Sequence, residues 1–432
     1  MTDTSDTTMP DGDLNPAALS SELDRVGRAE IVVGIPSLNS ARTIAHVVEA
    51  VATGLARHYP GTPCAILNAD GGSRDGTPEL ARQAAGGPNP LLVARHDTRP
   101  LYQLATSYPG FPGRGDALFT ILQAAERLNA RACALVDGDV RGITPEWMQW
   151  LLDPVVRQEM DFVAPLYARH KFDGMITTSL IYPLTRALYG LRMRQAVGGH
   201  FGLSGLLARR LLRSGIWDRA GALQAADVWM STLAIADGLR VCQVRLGAGR
   251  RGTRGDAAAL GASFTQAVGT VFGLMEEYRQ AWWAVVATAD VPTFGPPQVV
   301  GLEPVSVNVD RMISTFRQGV ADLTPVWRRA LGPDTCAALA GLEGDSATDF
   351  RFPADLWVQA VYDCAIAYHQ RLLPRRHLLR AMIPLYLGRS AAFVLRTAAS
   401  DAGEVEAEIE GLCSVFEAMK PYLLDRWDTR RP

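Results

Sequence analysis

The feature that most constrains the fold is a repeated unit of apolar strand, polar loop and amphipathic helix near the start of the chain. Residues 31–35 form a β-branched run that ends at Pro36, and residues 44–55 carry apolar side chains at spacings of three and four. These patterns are typical of a buried strand followed by an amphipathic helix. Further strand-like runs occupy residues 64–67, 91–94 and 132–136. Alternating β and α elements predict an α/β, Rossmann-like fold with a mostly parallel sheet flanked by helices.

The pattern changes along the 432 residues, a length that usually exceeds one domain. Strand signals end near residue 257, and residues 264–286 and 356–373 show helical spacing. A Pro-rich loop is expected at residues 292–297. We therefore predict a disordered tail at residues 1–28, an α/β catalytic domain at residues 29–256 and a helical C-terminal domain at residues 257–432.

Composition narrows the class of protein. The 45 acidic and 43 basic residues nearly cancel, which argues against a nucleic-acid partner or a polybasic membrane anchor. The first 16 residues lack the cationic start and apolar run of a secretory signal. No uncharged apolar run approaches the roughly 20 residues needed to cross a bilayer. The expectation is a soluble cytoplasmic protein that has no membrane partner.

Polar residues follow three of the predicted strands. Asn39 follows the first, Asp70 the second, and Asp137-Gly138-Asp139 the strand at residues 132–136. In open α/β sheets, ligands bind beyond the carboxyl ends of the strands. We therefore expect these three loops to build one site.

Two short motifs in this region carry recognisable chemistry. In the DxD triplet Asp137-Gly138-Asp139, two carboxylates one residue apart can hold a divalent cation against a diphosphate. The triplet also occurs in ordinary surface turns. Gly113-Arg114-Gly115-Asp116 combines a glycine turn with an arginine that can bind phosphate bidentately. A plain helix cap is the alternative, and a dinucleotide-binding fingerprint is disfavoured because its third glycine is missing.

Together these motifs resemble a known family. Residues 36–39, the Asp70 turn, PGRGDALFTIL and VDGDVRGITPEWM are similar in order and spacing to the retaining GT-A synthases that make mannosylglycerate and glucosyl-3-phosphoglycerate. The similarity extends over residues 31 to about 256. It implies a GT-A fold, a nucleotide-sugar donor and a small-molecule acceptor.

The resemblance also assigns site residues by position. Asp139, the second aspartate of the triplet, matches the ligand of a divalent metal, Mg or Mn. Asp227, in an acidic loop, would orient the acceptor or the sugar, and a buried structural carboxylate is the alternative for it. Arg169, Asp173 and His200 belong to the segment that closes over the sugar and the acceptor. The nucleotide-sugar site would contain Pro36, Ser37, Asn39, Asp70, Arg114, Gly115, Asp137, Gly138, Asp139, Gly198, Gly199, Arg250 and Arg251.

One departure bears on metal dependence. The family takes a third metal ligand from a histidine just after its last strand, whereas here residues 246–252 read LGAGRRG. Arginine has no lone pair for a cation, but it can bind the leaving diphosphate. We expect Arg250 or Arg251 to replace the metal, or His200 to act as a ligand. A surface-loop histidine is the alternative for His200, which stands where the family prefers an acidic residue.

The favoured function is a retaining glycosyltransferase that moves a sugar from a nucleotide-diphosphate sugar to glycerate or a similar acceptor. GDP is the preferred nucleotide and UDP the second choice, and the apolar helices suggest a homodimer. A double-displacement route would need Asp227 or Asp173 as nucleophile. One alternative is the natural-product S-glycosyltransfer that joins a GDP-octose to ergothioneine in lincosamide antibiotic biosynthesis. Another is a non-catalytic nucleotide-sugar-binding protein.

Overall fold

A computed structural model describes residues 16–95, 114–195, 198–215, 217, 226–248, 257–297, 305–342 and 349–429. The helices in these ranges are α1 (Pro16–Val26), α2 (Ile44–His58), α3 (Thr77–Ala84), α4 (Arg114–Arg127), α5 (Glu146–Gln158), α6 (Tyr182–Tyr189), α7 (Gly205–Arg213), α8 (Ala226–Ala236), α9 (Ala257–Glu277), α10 (Arg279–Trp283), α11 (Val309–Ala330), α12 (Pro333–Gly341), α13 (Ala354–His369), α14 (Arg375–Ala381), α15 (Ile383–Thr397), α16 (Ala402–Ala418) and α17 (Lys420–Trp427). A π-helical turn, Thr177–Ile181, precedes α6.

The strands form a single mixed sheet. They are β1 (Ile31–Ser37), β2 (Cys64–Asp70), β3 (Leu91–Arg95), β4 (Ala132–Leu135), β5 (Phe162–Ala168), β6 (Phe201–Ser204), β7 (Val241–Ala248) and β8 (Thr293–Phe294). Their order is β3-β2-β1-β4-β6-β5-β7-β8. Only β6 runs antiparallel to its neighbours among the paired strands described. The predicted fold class, a mostly parallel sheet flanked by helices with a helical C-terminal region, is confirmed.

Helices cover both faces of this sheet. Ile31, Val33 and Ile35 of β1 pack into a buried cluster with α2 and α5, while Val32 belongs to a larger cluster with α4. A Cβ at Gly34 would lie 2.3 Å from a side-chain atom of Ile121, so glycine lets α4 pack directly on β1. Because β1, β2 and β4 are buried throughout, their sequences read as continuous apolar runs.

The C-terminal helices continue the core of the sheet region. The larger cluster includes Phe162 of β5 and Trp357 of α13. Trp357 Nε1 also donates a hydrogen bond to the carbonyl of Ser179, 2.8 Å away. Residue 257 therefore marks a change of secondary structure within one continuous hydrophobic core.

The structure corrects the expectations for two short segments. The predicted disorder through residue 28 does not hold for α1, where Leu19 and Leu23 are buried and Asp24 forms an ion pair with Arg127. The apolar spacing in α1 is enough to form a helix against the sheet region. Within the expected loop at 292–297, Thr293–Phe294 adds strand β8 beside β7. Two residues are too short a strand to give a periodic signal.

One apolar stretch, Arg375–Thr397, is long and apolar enough to cross a bilayer. About 78% of its apolar window is buried inside the molecule. Burial of this extent is what a core helix of a folded domain shows.

Candidate functional site

The loops after β1, β2 and β4 meet at the carboxyl edge of the sheet, as predicted. The Asn39 N–H donates to Ser73 Oγ, 2.8 Å away, which joins the first loop to the second. The Gly138 N–H donates to the carbonyl of Pro36 over 2.9 Å, which joins the third loop to the first. The three polar loops thus form one interlocked surface.

Asp70 is fully buried and fixes the second loop. One of its oxygens accepts from the hydroxyls of Ser37 and Ser73, and the other accepts from the N–H groups of Gly72 and Ser73. These four bonds fill the usual acceptor sites of a carboxylate. A contact between Asp70 and a base or ribose stays a prediction, and it requires that one of these bonds be exchanged.

Asn39 has a left-handed backbone, with φ of 49°. Asparagine tolerates this conformation better than most residues. Its side-chain oxygen accepts from the Arg74 N–H over 3.1 Å, and its own side chain is exposed at the rim. Asn39 therefore ties the first two loops together beside solvent.

The centre of the site is a buried ion-pair cluster around Arg114, the first residue of α4. Arg114 Nη1 lies 2.6 Å from Asp137, and Nη2 lies 3.2 Å from Asp227. Nη2 also donates to the carbonyl of Gly199 over 3.4 Å. Arg114 is 3% exposed, and the two carboxylates are 5% exposed. We call Arg114, Asp137 and Asp227 the carboxylate bridge.

The electrostatics of the bridge keep Arg114 charged. Burial by itself lowers the pKa of the guanidinium, but the charges of Asp137 and Asp227 and the Asp137 hydrogen bond raise that pKa above its ordinary value. Arg114 was predicted to hold phosphate bidentately, whereas here its terminal nitrogens contact two protein carboxylates. The physical reason is that a buried guanidinium needs compensating charge.

The DxD triplet presents its two aspartates differently. Asp137 is buried in the bridge, while Asp139 is exposed. Between them, the carbonyl of Gly138 accepts from Thr43 Oγ1 over 2.7 Å. A Cβ at Gly138 would lie 2.9 Å from the Cβ of Ser37, so a side chain there would push the first and third loops apart. The turn directs only Asp139 to solvent.

His200 is buried, at 1% exposure, so the surface-loop alternative is wrong. Its Nδ1 accepts a hydrogen bond from the Asp137 N–H over 3.2 Å. The ring also packs edge-on against Trp147 and Tyr167. An acceptor Nδ1 requires the tautomer that carries its proton on Nε2, which leaves neither nitrogen ready to bind a metal.

The glycines before β6 allow a close approach of three elements. A Cβ at Gly198 would lie 2.3 Å from the Pro165 ring, and the carbonyl of Gly198 accepts from Tyr167 Oη over 3.3 Å. Gly199 has φ of 84°, a left-handed value that favours glycine. These glycines bring His200 and the Gly199 carbonyl to the carboxylate bridge.

Asp227 lies in the first turn of α8, so the expected acidic loop is wrong at this position. Its neighbour Trp229, two residues on, is fully buried against Trp217. A carboxylate in the first helical turn is favoured by the helix dipole. Gly115, the residue after Arg114, is a buried residue of α4.

Arg169 and Asp173 lie in the segment after β5. The Arg169 guanidinium lies 5.1 Å from the centroid of the Tyr167 ring. A Cβ at Gly174 would lie 2.8 Å from Arg169 Nη1, so glycine makes room for the guanidinium. The Asp173 N–H donates to the carbonyl of His170 over 2.8 Å, which closes a turn. Both residues are half-buried. The roles assigned to them stay predictions.

Metal ligands are sparse in the part of the chain that the structure describes. It contains no group of three His, Cys, Asp or Glu side chains arranged to hold an ion. Asp139, which is exposed at the end of the DxD triplet, is the described carboxylate best placed to meet an ion from solvent. Arg250 and Arg251, the predicted substitutes for the metal, lie outside the described residues. The described donors fit a metal only if substrate oxygens complete its shell.

Sequence reasoning missed residues that support the site from behind. Tyr167 contacts His200, Arg169 and Gly198, and Trp147 packs on His200. Ser73 Oγ accepts a hydrogen bond from the Asn39 N–H. Tyr167 lies two residues before Arg169 in the sequence, but nothing in its spacing set it apart from an ordinary strand residue.

Comparison with known proteins gives similarity in fold. No protein-family model and no curated protein matches the chain. Among solved structures, it resembles glucosyl-3-phosphoglycerate synthase from Mycobacterium tuberculosis in complex with Mn2+, UDP-glucose and phosphoglyceric acid, at 23% identity and a TM-score of 0.44, over 62% of this chain and 86% of that one. The complex of that enzyme with Mg2+ and UDP matches at 22% identity and a TM-score of 0.41, over 59% and 82% of the two chains.

The synthase named by the motif resemblance is thus also among the solved structures that are similar to this chain in fold, at low identity. A third match is the complex of that enzyme with Mn2+, UDP and phosphoglyceric acid. It shows 24% identity and a TM-score of 0.44, over 59% of this chain and 81% of that one. Donor, acceptor and metal have to be argued from this chain's own residues.

Proposed function

We propose that this chain is a nucleotide-sugar-dependent, retaining glycosyltransferase. The observation that carries the proposal is the carboxylate bridge at the carboxyl edge of the sheet, with exposed Asp139 beside it. Parallel sheets bind their ligands at this edge. A bridge of this kind is costly to bury, and such groups concentrate at functional sites.

The donor would lie over the interlocked loops. Pro36, Ser37 and Asn39 form the first wall, the Asp70 turn forms the second, and Asp139 faces the diphosphate. Asp139 and the diphosphate are both negative, so a cation has to enter between them. Mg2+ or Mn2+ held by Asp139 would supply it, as would the guanidinium of Arg250 or Arg251.

A divalent cation, when bound, would stabilise the charge that develops on the leaving diphosphate. The chain's own residues do the positioning. His200 fixes the backbone of the DxD triplet through the Asp137 N–H, and Arg114 holds Asp137 and Asp227 in one orientation. Preorganised groups of this kind need no rearrangement as charge moves.

The acceptor would approach between Asp227 and the Arg169 segment. Arg169 would bind an acceptor carboxylate, such as that of glycerate, through its guanidinium. The bond from the anomeric carbon to the diphosphate breaks, the bond to the acceptor oxygen forms on the same face, and the diphosphate accepts the proton. The ion pair with Arg114 makes Asp227 a poor nucleophile, which argues against a double displacement through Asp227.

GDP is the favoured nucleotide and UDP the second. The test is calorimetry of the full chain with GDP, UDP and NAD, each with Mn2+ and with excess EDTA. It is followed by product analysis with GDP-mannose or UDP-glucose and D-glycerate, 3-phosphoglycerate or the thiol ergothioneine. Transfer with retained anomeric configuration supports the proposal. Binding of neither GDP nor UDP refutes it, and tight binding without transfer or hydrolysis favours a non-catalytic binder.

The same preparation tests two further parts of the proposal. We expect a homodimer, which light scattering on the eluted protein measures directly. We also expect the chain to work in the cytoplasm, and fractionation of cells that express it measures its location.

A further inference from the structure

The segment of residues 169–174 connects β5 to the π-helical turn and lies against the back of the site. Its first residue, Arg169, packs on Tyr167. Tyr167 contacts His200, and His200 accepts from the Asp137 N–H. A short chain of direct contacts therefore runs from this segment to the carboxylate bridge.

Lys171 joins the middle of the segment to the C-terminal helices. Its ammonium donates to the carbonyls of Thr397, Ala398 and Ser400, at 2.7, 2.8 and 3.0 Å. These carbonyls lie at the carboxyl end of α15, where the last turn of a helix leaves acceptors unused. A cation is also favoured there by the helix dipole. All three N–H donors of the Lys171 ammonium therefore bind carbonyls at this one helix end.

An aromatic contact reinforces the same connection. The Phe172 ring packs edge-on against Phe393 of α15, with 6.4 Å between centroids, and against His170. Phe393 belongs to a small buried cluster with Val405 and Ile409 of α16. The segment is thus held from one side by polar bonds and from the other by an apolar cluster, and both come from the C-terminal helices.

We propose that Lys171 is a positioning residue: it holds residues 169–174 to the carboxyl end of α15, so that the C-terminal helices set where Arg169 and Asp173 stand relative to the acceptor. The acceptor side of this inference rests on the proposed function. Lys171 itself has no contact with substrate in this scheme, because its three donors are directed away to the α15 carbonyls. Its loss should therefore affect acceptor use more than donor binding.

The first experiment is hydrogen exchange on the full chain without any ligand, comparing the wild type with Lys171→Met. The substitution keeps the length of the side chain and removes its donors. We expect exchange at least roughly tenfold faster in the peptide that covers residues 169–178, where the Asp173 and Thr177 N–H groups close turns. Exchange in the peptide that contains Asp137 should stay within about twofold of the wild type.

A matched control exists elsewhere in the chain. Lys420 also donates to three carbonyls, those of Leu188, Trp282 and Val285, but it holds α17 rather than the 169–174 segment. Lys420→Met should leave exchange at residues 169–178 within about twofold of the wild type. Lys171→Arg, which keeps charge and donors, should restore most of the protection.

Unchanged exchange at residues 169–178 in Lys171→Met would overturn the proposal, as would an equal rise across the whole chain. If Lys171→Met does not fold, Lys171→Gln, which removes the charge but keeps the two N–H donors of an amide, gives the same comparison. The kinetic test uses GDP-mannose and D-glycerate: the KM for glycerate should rise roughly ten- to hundredfold while the KM for the donor stays constant. A parallel change in both constants would argue against positioning. If the wild type transfers no sugar between any of the donors and acceptors named under the proposed function, that function fails, and the exchange comparison alone decides the role of Lys171.

Discussion

Removing the guanidinium of Arg114 should be among the most destabilising single changes in this chain. Arg114→Met preserves much of the side-chain volume but leaves Asp137 and Asp227, each 5% exposed, without the cation 2.6 and 3.2 Å away. Breaking a buried ion pair from one side typically costs about 3–5 kcal/mol, because the remaining charge stays buried. We expect a loss of at least about 4 kcal/mol, since two carboxylates share the one cation.

The assay is urea unfolding followed by fluorescence of the nine tryptophans. A matched variant separates lost charge balance from lost packing. Arg114→Met combined with Asp137→Asn and Asp227→Asn removes all three charges, and it should regain at least roughly half of the stability that Arg114→Met loses. Arg114→Lys should fall between wild type and Arg114→Met, because one ammonium lacks the planar fork that contacts both carboxylates.

The reasoning is refuted if Arg114→Met unfolds within about 1 kcal/mol of the wild type, which is the range of an ordinary substitution. It is refuted equally if the triple variant is no more stable than Arg114→Met. The first result would mean that solvent reaches the bridge and screens it. The second would mean that packing around the arginine, rather than its charge, supports the loops.

Three further changes test other parts of the site and fold. Asp139→Asn should change the free energy of unfolding by less than about 0.5 kcal/mol, because Asp139 is exposed, but it should reduce the initial rate of sugar transfer at least tenfold. Asp290→Asn, a control at another exposed aspartate, should keep the wild-type rate. His200→Leu should lower stability to urea by about 1–3 kcal/mol by leaving the Asp137 N–H without its acceptor, and His200→Asn, which keeps an acceptor, should lose less; equal losses would contradict this. Burial lowers the pKa of Lys420 from 10.5 to about 8, so the unfolded chain binds more protons between these values, and stability should rise from about pH 8 to 10.5. Lys420→Met should lack that rise in urea titrations at each pH, and an unchanged slope would show that another group titrates.

The sequence was sufficient for the first four strands of the sheet, β1 to β4, and for the rim of the site, because both depend on local signals. Continuous apolar runs gave β1, β2 and β4, and the residue types after each strand identified Asn39 and the Asp137 to Asp139 turn. In a parallel sheet these ends share one edge, so their convergence follows from topology. No side-chain geometry was needed for that step.

The partners of Arg114 could not be read in the same way. Asp137 and Asp227 lie 23 and 113 residues further along the chain, and the contact depends on how α4, β4 and α8 pack. A glycine-flanked arginine looks like a phosphate ligand as long as its partners are unknown. The burial of His200 could not be predicted for the same reason, because the residues that cover it, Trp147 and Tyr167, lie on other elements.

The charge of the site constrains how a donor can bind. Three carboxylates, those of Asp137, Asp139 and Asp227, are close enough to the guanidinium of Arg114 to raise its pKa. A diphosphate adds more negative charge to the same edge. Binding therefore requires a cation that the bridge does not supply, either a divalent metal or Arg250 and Arg251.

If a metal supplies the cation, EDTA abolishes GDP binding, and the double variant Arg250→Ala with Arg251→Ala binds GDP nearly as well as the wild type. If the arginines supply the cation, the two results are reversed. Tight GDP binding that survives both treatments would mean that Arg114 leaves its carboxylates to meet the phosphate, and the carboxylate bridge would then be a resting state of the enzyme.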